Sequence, residues 1–476
     1  MDGLAQAELV RRNEVTPLEL LGAAIQRIEA VNPSLNAVVA TMYEEAETVA
    51  TSGSLHGAFA GVPFLLKDGG GAAYAGFGAS GGSRFLADYI APEDGLITKR
   101  FKAAGLVVCG RTNLPEFGAL PTTEPEVHGP TMNPWDTERM AGGSSGGAAA
   151  AVASRMVPMA NGSDVGGSIR VPAACCGVFG LKPTRMRISS PRRDLGVSLR
   201  MAMLSEHALT VSVRDSAALL DATAGPEQGD PFVAPAPSRP YLDEVGADPG
   251  RLRIAFSTVT PSGSPLHPDC VAAVEDAAAL CEELGHHVEQ DSPRLDIGSL
   301  AESFGLIATV GTAWDIRNWE RKLGKVARPE DFEPATWATI ERGRSAGATA
   351  EDLMDAEMAL QGLCDQLAAW SAPFDVWLTP TTGSPALPLG SFSPTDDEPM
   401  RSMRTSMQFL PFTMLQNLSG QPAMSVPLYW NDDGLPVGVQ FAGGYGNEGL
   451  LFRLAAQLEA ARPWTDRVPP ISAVGL

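Results

Sequence analysis

Two glycine- and serine-rich segments are the stretches of the chain best suited to covalent chemistry. GGSSGG occupies residues 142–147 and GGSIR occupies residues 166–170, so Ser144 and Ser168 are 24 positions apart (168 minus 144). A serine hydroxyl attacks a carbonyl only when a neighbouring base takes its proton. In familiar serine hydrolases that base is a histidine, and the serine stands in a G-x-S-x-G turn. Neither signal is convincing here, because the six histidines lie in turn-like or helix-end contexts where we expect them at the surface.

A lysine can serve as the base if burial makes its neutral amine available near pH 7. Lowering a lysine pKa from about 10.4 to about 7.5 requires roughly 4 kcal/mol of differential solvation, which a buried strand end can impose. Lys67 fits, since it closes the apolar run VPFLL at 62–66 and precedes a glycine-rich loop. Lys182, in GLKPT at 180–184, lies in a similarly apolar setting and remains a competitor. A lone lysine at a strand end is more often solvated or ion-paired, so the pattern alone leaves the base open.

Three segments together carry a resemblance to a known family. GVPFLLKD at 61–68, GGSSGG at 142–147 and GSDVGGSIRVPAACCGVFGLKPT at 162–184 resemble, in order and spacing, the motifs of the amidase signature family. Weaker similarity runs from about residue 5 to about residue 462. The resemblance implies a serine hydrolase in which Lys67 is the base, Ser144 relays the proton after a cis peptide bond, and Ser168 is the nucleophile of an acyl-enzyme. It outweighs the flexible linker that GGSSGG alone would suggest.

Other residues of these motifs are expected to support such a relay. Glycines allow a turn to aim successive backbone N–H groups at one oxyanion. The candidate donors are Val165, Gly166, Gly167 and Ser168. The resemblance implies that Ser145 and Ser163 hydrogen-bond around Lys67, and we expect Asp164 and Arg170 to form a buried ion pair that shapes the loop. The relay supplies its own base and oxyanion donors, so we expect no metal and no organic cofactor.

The chain departs from the family pattern at two positions. Family members usually carry glycine where Met186 stands, so we expect the turn there to be displaced. A bulky apolar residue is common where Cys175 stands, and its loss is expected to enlarge the space behind the nucleophile loop. Cys175 and Cys176 lie in an apolar run with no adjacent base, which argues against a nucleophilic role for either thiol.

The substrate class is indicated by two further segments. QAELVRRNEVTPLELL at 6–21 and TTEPEVHGPTMNPWD at 122–136 look most similar to the branch that contains the cyclic dimer hydrolases of nylon oligomers. This implies small, largely apolar substrates: cyclic or linear oligoamides, aryl amides, or carbamates such as urethanes. Such compounds suit an apolar pocket. Candidate linings, equally compatible with a core position, are Phe409, Leu410, Phe412, Met414 and a tryptophan-rich segment at 299–370.

Two other functions remain open at this point. The chain could resemble the amidase subunit of a tRNA-dependent amidotransferase, or it could be a catalytically silent binding protein on the same fold. A formal net charge of −21 repels phosphate backbones, so we expect no nucleic-acid partner. Retention of Lys67, Ser144 and Ser168 argues against a silent protein. The sequence leaves a homo-oligomer open.

Composition favours a globular protein of the cytoplasm. The chain is 44% hydrophobic and 19% charged, and its six cysteines show no CxxC spacing, so reduced thiols are expected. The N-terminus has no apolar stretch behind a basic start, and no run of 18 or more apolar residues occurs, which predicts no membrane association.

The elements that must hold these residues alternate between strand and helix. Predicted strands include Val62–Leu66, Leu106–Gly110 and Met424–Pro427; predicted helices include one that starts at Thr16 and ends at Asn32-Pro33. This predicts one α/β domain over residues 1–476, with a central mixed sheet covered by helices on both faces. Residues 295–372 form a helix-rich insertion with four tryptophans, which is either a lid over the active site or a layer that simply packs.

Overall fold

The computed structural model describes residues 1–189, 203–393 and 401–475 of the 476-residue chain. Its strands are β1 (Val38–Thr41), β2 (Pro63–Lys67), β3 (Val107–Thr112), β4 (Met132–Asn133), β5 (Asp136–Met140), β6 (Met159–Asp164), β7 (Phe179–Lys182), β8 (Ser205–Thr210), β9 (Arg253–Phe256), β10 (His287–Gln290), β11 (Val376–Pro380), β12 (Ala423–Trp430) and β13 (Pro436–Gly443). Its α-helices are α1 (Gly3–Arg11), α2 (Pro17–Leu35), α3 (Tyr43–Thr51), α4 (Leu96–Ala103), α5 (Gly146–Ala153), α6 (Arg170–Cys176), α7 (Val213–Thr223), α8 (Pro268–Glu283), α9 (Ile297–Leu323), α10 (Pro334–Ser345), α11 (Ala350–Ser371), α12 (Arg401–Phe409), α13 (Thr413–Ser419) and α14 (Glu448–Ala461).

Eleven of these strands form one sheet, in the order β1-β3-β2-β6-β8-β7-β12-β13-β11-β9-β10. β2 runs parallel to β3 and β6, and β9 runs parallel to β10 and β11. The central strands β6, β8, β7, β12 and β13 pair antiparallel with one another. The prediction of a mixed sheet in one α/β domain is confirmed.

Helices cover both faces of the sheet, and β2 shows how its side chains divide between them. Phe64 and Leu66 face an apolar core that includes residues of α7, α8 and α14. Leu65, between them, faces a second core built with α2 and α5. All three side chains are fully buried. Because side chains alternate along a strand, a strand covered on both faces reads as a continuous apolar run.

Helix α2 begins as predicted but ends later. Thr16 Oγ1 accepts from the Glu19 N–H and the Glu19 carboxylate accepts from the Thr16 N–H, which makes a capping box. The predicted end at Pro33 is wrong, since the helix continues to Leu35. Proline removes only one intrahelical hydrogen bond near the end of a helix. Termination falls to Asn36, which adopts a left-handed conformation with φ 51°.

Other predicted elements lie within a few residues of the observed ones. Leu106–Gly110 corresponds to β3, which extends to Thr112. Met424–Pro427 covers only half of β12, which continues through Tyr429 to Trp430. None of the helices in residues 1–189, 203–393 and 401–475 combines the length and apolar character needed to cross a bilayer.

Helices α9, α10 and α11 fill most of the segment from 295 to 372, and several of their aromatic side chains pack against the rest of the chain. Trp319 meets Tyr89 edge-on, with ring centroids 5.0 Å apart. Trp370 meets Trp377 of β11 at 5.1 Å, whereas Trp314 is 38% exposed. These contacts favour a packed layer, and a lid role for the segment stays a prediction.

Candidate active site

Lys67 lies at the carboxyl end of β2, where its side-chain nitrogen contacts three serines. Its side chain is buried, and Nζ lies 2.7 Å from Ser144 Oγ, 3.0 Å from Ser145 Oγ and 3.1 Å from Ser163 Oγ. The structure therefore brings together the predicted base, the predicted relay serine and both predicted supporting serines.

The sheet and one tight loop explain this convergence. β2 and β6 are parallel neighbours, so Lys67 and Ser163 meet at the same edge of the sheet. The loop between β5 and α5 carries Ser144 and Ser145, and its Gly143–Ser144 peptide bond is cis. A Cβ on Gly143 would lie 2.4 Å from the carbonyl oxygen of Thr122, so only glycine fits there.

Burial and two carboxylates set the protonation of Lys67. Desolvation lowers the pKa of Lys67, while the nearby charges of Glu206 and Asp164 oppose that shift. Desolvation also raises the pKa of Glu206 well above its ordinary range, against hydrogen bonds to its carboxylate and the charge of Lys67. A buried lysine with a lowered pKa holds a larger fraction of neutral amine near neutral pH than a surface lysine does.

Ser168 stands in the loop of residues 165–169 between β6 and α6. It is partly exposed, whereas Ser144 is 2% exposed. The backbone N–H of Ser145 donates to the carbonyl oxygen of Ser168 at 3.2 Å, so the two serine loops are joined directly. Among the residues that the structure describes, the Ser168 hydroxyl makes no hydrogen bond to Ser144, so the backbone contact is what links the two loops.

Asp164 and Arg170 form a fully buried ion pair that fixes this loop. Arg170 Nη2 lies 2.9 Å from Asp164 Oδ1, and Arg170 Nε lies 3.0 Å from Oδ2. Arg170 also donates to Asn417 Oδ1 and Gln440 Oε1, both at 2.6 Å. Burial acts to raise the pKa of Asp164, but Arg170 above all outweighs it and holds that pKa at about 2. The carboxylate is therefore ionised at neutral pH.

The backbone of the same loop offers three of the four predicted oxyanion donors. The Gly167 N–H already donates to Asp164 Oδ1 at 2.8 Å, so this structure uses it to hold the loop. Among the described residues, no acceptor takes a hydrogen bond from the N–H groups of Val165, Gly166 or Ser168. Thr413 Oγ1 donates to the Gly166 carbonyl at 2.6 Å and keeps that carbonyl turned toward α13.

Lys182, the competing lysine, lies elsewhere in the hydrogen-bond network. Its Nζ donates to the carbonyl oxygen of Pro183 at 2.7 Å. Desolvation, with the charge of Arg170, lowers the pKa of Lys182 to about 7. The structure thus places a second buried lysine of lowered pKa next to the site, but it is Lys67 that contacts the serines.

The structure describes the surroundings of both departures from the family pattern. Met186 adopts φ 62°, a conformation that normally favours glycine. Displacement of this turn relative to other family members stays a prediction. Cys175 is buried against Gly142, and a Cβ on Gly142 would lie 3.0 Å from its Sγ. Desolvation raises the pKa of Cys175 to about 12, which keeps the thiol protonated.

Two histidines contradict the prediction of a surface position. His207, on β8, is fully buried and shares a 2.8 Å hydrogen bond with Ser216 Oγ. Burial lowers the pKa of His207 to about 3. His286 is 5% exposed, and its Nδ1 accepts from the Leu252 N–H. A turn-like local sequence carries no information on long-range burial, which is why the prediction failed.

Sequence reasoning missed the residues that come from distant strands and helices. Glu206, Asn161, Asn417 and Gln440 are all buried at the site. Asn161 Oδ1 accepts from the Lys67 backbone N–H at 3.3 Å. The Asn417 side chain donates to Asp164 Oδ1 at 2.9 Å. The strands that carry Asn161 and Glu206 read MANGSD and SEHALT, and neither is apolar enough to mark a buried polar residue. No cluster of three or more metal-ligating side chains occurs in the part of the chain that the structure describes.

An α/β sheet with a buried lysine joined to serines at its edge defines a class of hydrolytic enzyme. The Amidase family model matches residues 19–452. The chain belongs to this family and is an amidohydrolase.

Two curated relatives and one solved structure are similar to almost the whole chain. The chain is 40% identical over 484 residues to a 6-aminohexanoate-cyclic-dimer hydrolase of Paenarthrobacter ureafaciens, which covers 99% of this chain and 96% of that protein. It is 35% identical to an acylamidase of Rhodococcus erythropolis over 98% of this chain and 97% of that one. The solved structure of 6-aminohexanoate cyclic dimer hydrolase complexed with substrate superposes with a TM-score of 0.93 at 38% identity, over 99% of both chains.

Proposed function

We propose that this amidohydrolase cleaves the C–N bond of small, largely apolar amides through an acyl-enzyme on Ser168. The observation that carries the proposal is the 2.7 Å contact between Lys67 Nζ and Ser144 Oγ in a buried site. A neutral amine in hydrogen-bond contact with a hydroxyl is a general base. Burial lowers the pKa of Lys67 and so supports the neutral form.

Acylation begins with two proton transfers. Neutral Lys67 takes a proton from Ser144 while Ser144 takes one from Ser168, whose oxygen attacks the substrate carbonyl carbon. The resulting tetrahedral oxyanion requires hydrogen-bond donors that are already oriented. The N–H groups of Val165, Gly166 and Ser168 are the candidates, because the Asp164–Arg170 pair holds their loop in place.

The relay then runs in reverse. Lys67 returns its proton through Ser144 to the departing nitrogen, the C–N bond breaks, and the amine leaves an ester on Ser168. Water attacks this ester and gives up a proton along the same path. The carboxylic acid is released, and Ser168 regains its hydroxyl hydrogen.

Small amides are the substrate class that the relatives support. One relative is named for the cyclic dimer of 6-aminohexanoate and another for acyl amides. Met414 lies close to the loop of Ser168, since its terminal methyl would lie 3.6 Å from a Cβ on Gly166. Phe409 and Phe412 are 2% and 0% exposed and belong to hydrophobic core clusters, so they support the site as part of the core.

Carbamates form the second substrate class of the proposal, because they present the same carbonyl–nitrogen bond. Departure of the amine from a carbamate leaves a carbonate ester on Ser168. Its hydrolysis releases the alcohol and carbon dioxide and restores the serine. The chemistry required of Lys67 and Ser144 is the same for both classes.

Hydrolysis by the purified single chain tests this function. The panel contains an anilide, a linear aliphatic amide, a cyclic oligoamide and an aryl carbamate. We expect turnover of at least one member, with losses of orders of magnitude in Ser168→Ala, Ser144→Ala and Lys67→Ala. Inertness toward the whole panel would favour a partner-dependent subunit or a binding protein, and an active Ser168→Ala would refute the nucleophile.

A further inference from the structure

Glu206 is a buried carboxylate beside the proposed base, and none of the proposed steps uses it. It lies on β8 directly opposite Ser163 of β6 and is 3% exposed. Its Oε1 accepts from the Gly71 N–H at 3.1 Å, and its Oε2 accepts from Asn161 Nδ2 at 3.4 Å. Both donors are uncharged. A buried carboxylate held only by neutral donors is costly to keep ionised unless a cation stands near it.

Two neighbours connect Glu206 with Lys67. Asn161 spans them, since its Nδ2 donates to Glu206 while its Oδ1 accepts from the backbone N–H of Lys67. Ser163 is the second connection, because its Oγ lies 3.1 Å from Lys67 Nζ. A Cβ on Gly70 would lie 3.4 Å from Glu206 Oε1 and 3.7 Å from Ser163 Oγ, so both groups border one small space. Glu206 and Lys67 therefore belong to one buried polar cluster.

The pair can hold one proton in two ways without burying net charge. The proton on Lys67 gives an ammonium and a carboxylate, and the proton on Glu206 gives an amine and a carboxylic acid. Desolvation lowers the pKa of Lys67 and raises the pKa of Glu206, which brings the two forms close in free energy. Only the second form offers the neutral amine that the relay requires. Interacting groups of this kind titrate as a unit.

Other charged groups near the pair have partners of their own. Asp164 on β6, whose charge also helps to raise the pKa of Lys67, is held in an ion pair by Arg170 of α6, and Asp68, next to Lys67, lies 3.8 Å from Arg111 of β3. His207, next to Glu206 on β8, is kept neutral by burial, which lowers its pKa. Lys182 on β7 is a further titratable group nearby, and it donates to the Pro183 carbonyl.

We propose that Glu206 is a positioning residue that shares one proton with Lys67 and thereby sets the pH range in which the serine relay works. This inference rests on the proposed role of Lys67 as the base. An ionised Glu206 retains a proton on Lys67, and a neutral side chain at 206 releases it. Removing the carboxylate should therefore extend activity to lower pH.

The test is the pH profile of kcat/KM from pH 5 to 10 for the wild type and Glu206→Gln. We expect the acidic limb of Glu206→Gln to move down by about one pH unit or more and to follow a single ionisation. Glu206→Asp retains an ionisable group and should stay near the wild-type limb. Asp215→Asn is the matched control, because Asp215 on α7 is also buried, and burial raises its pKa to about 7, but its carboxylate binds the Gly3 and Leu4 N–H groups. The acidic limb of the Asp215→Asn profile should stay at the wild-type pH.

A Glu206→Gln enzyme with an unmoved limb, or one that is folded and inactive at every pH, would overturn the inference. If Glu206→Gln does not fold, Glu206→Ser makes the same measurement, and failure of both to fold would assign Glu206 a purely structural role. Lys67→Ala separates this inference from the proposed function. An active Lys67→Ala would refute both the proposed function and the role of Glu206. If Lys67→Ala is inactive and the acidic limb of Glu206→Gln does not move, only the role of Glu206 is refuted.

Discussion

The backbone N–H of Ser145 donates to the carbonyl oxygen of Ser168 across 3.2 Å. This bond joins the loop that carries the proposed relay serine to the loop that carries the proposed nucleophile. The side chain of Ser145 contacts Lys67 as well. One residue thus couples the spacing of the two loops to the position of the base, so small shifts in either loop should affect catalysis.

Replacement of Ser168, the proposed nucleophile, should abolish turnover without unfolding the protein. Ser168 is partly exposed, so Ser168→Ala leaves no large cavity. We expect kcat to fall at least about 10³-fold, as when a serine hydrolase loses its nucleophile, with an unchanged melting temperature. Ser154→Ala is the control, because Ser154 follows the last residue of α5 and its hydroxyl donates to the Ala150 and Ala151 carbonyls of that helix. Its kcat should remain that of the wild type.

Replacing each buried lysine should distinguish the two candidates for the base. Lys67→Arg is expected to be inactive at every pH, because arginine stays protonated. Lys182→Met should retain activity, since Lys182 contacts a backbone carbonyl rather than a serine. Steady-state rates of both variants show which of the two lysines is the base. An active Lys67→Arg together with an inactive Lys182→Met would transfer the role of base to Lys182.

The wild-type rate should rise with pH. The proposed base, Lys67, requires its neutral form, and desolvation lowers the pKa of this lysine. Activity is therefore lost as the pH falls through the pKa of Lys67 in the folded protein, and it is complete above that pKa. The measurement is kcat/KM across a buffer series at constant ionic strength. A rate that increases toward acid pH would contradict a lysine base.

Breaking the Asp164–Arg170 pair should destabilise the protein strongly. Asp164→Asn leaves the Arg170 charge uncompensated in the interior, which costs about 3–5 kcal/mol of unfolding free energy. The pKa of Asp164 falls from its ordinary 3.8 to about 2 on folding, so this stabilisation is present above pH 3.8 and is lost as pH falls toward 2. Urea unfolding at several pH values measures both effects. Glu8→Gln, in the exposed Glu8–Arg12 pair, is the surface control and should change stability little.

The loop around Gly143 has no room for even one methyl group. Gly143→Ala would place a Cβ 2.4 Å from the Thr122 carbonyl oxygen, so the loop must move and carry Ser144 away from Lys67. We expect a large loss of kcat and a lower melting temperature. Gly22→Ala is the contrasting substitution, since Gly22 lies in α2 with no atom within 4 Å of its Cβ position. It should stabilise the protein by about 0.5–1 kcal/mol. Equal effects of the two substitutions would contradict this account.

The proximity of Lys67, Ser144 and Ser163 was predictable through the resemblance of three short motifs to the amidase signature family, whereas the residues alone left the base open between Lys67 and Lys182. The wider network was not. Arg170 meets Asn417 and Gln440 across 247 and 270 positions of the chain, and no local pattern encodes such contacts. Glu206 escaped notice because its strand, SEHALT, is buried on both faces and shows no alternation to mark it as a strand.

The order of the strands in the sheet also affects when the active site can assemble during synthesis. Lys67, Ser144 and Ser168 are synthesised in the first half of the chain. The partners of the site come later, because β7 pairs with β12, and Arg170 binds Asn417 and Gln440. Chains fold from the N-terminus as they emerge, and contacts between distant residues form last. A nascent chain therefore carries every reactive group before it has the partners that align them. We therefore expect catalysis only after the chain has been made past Gln440.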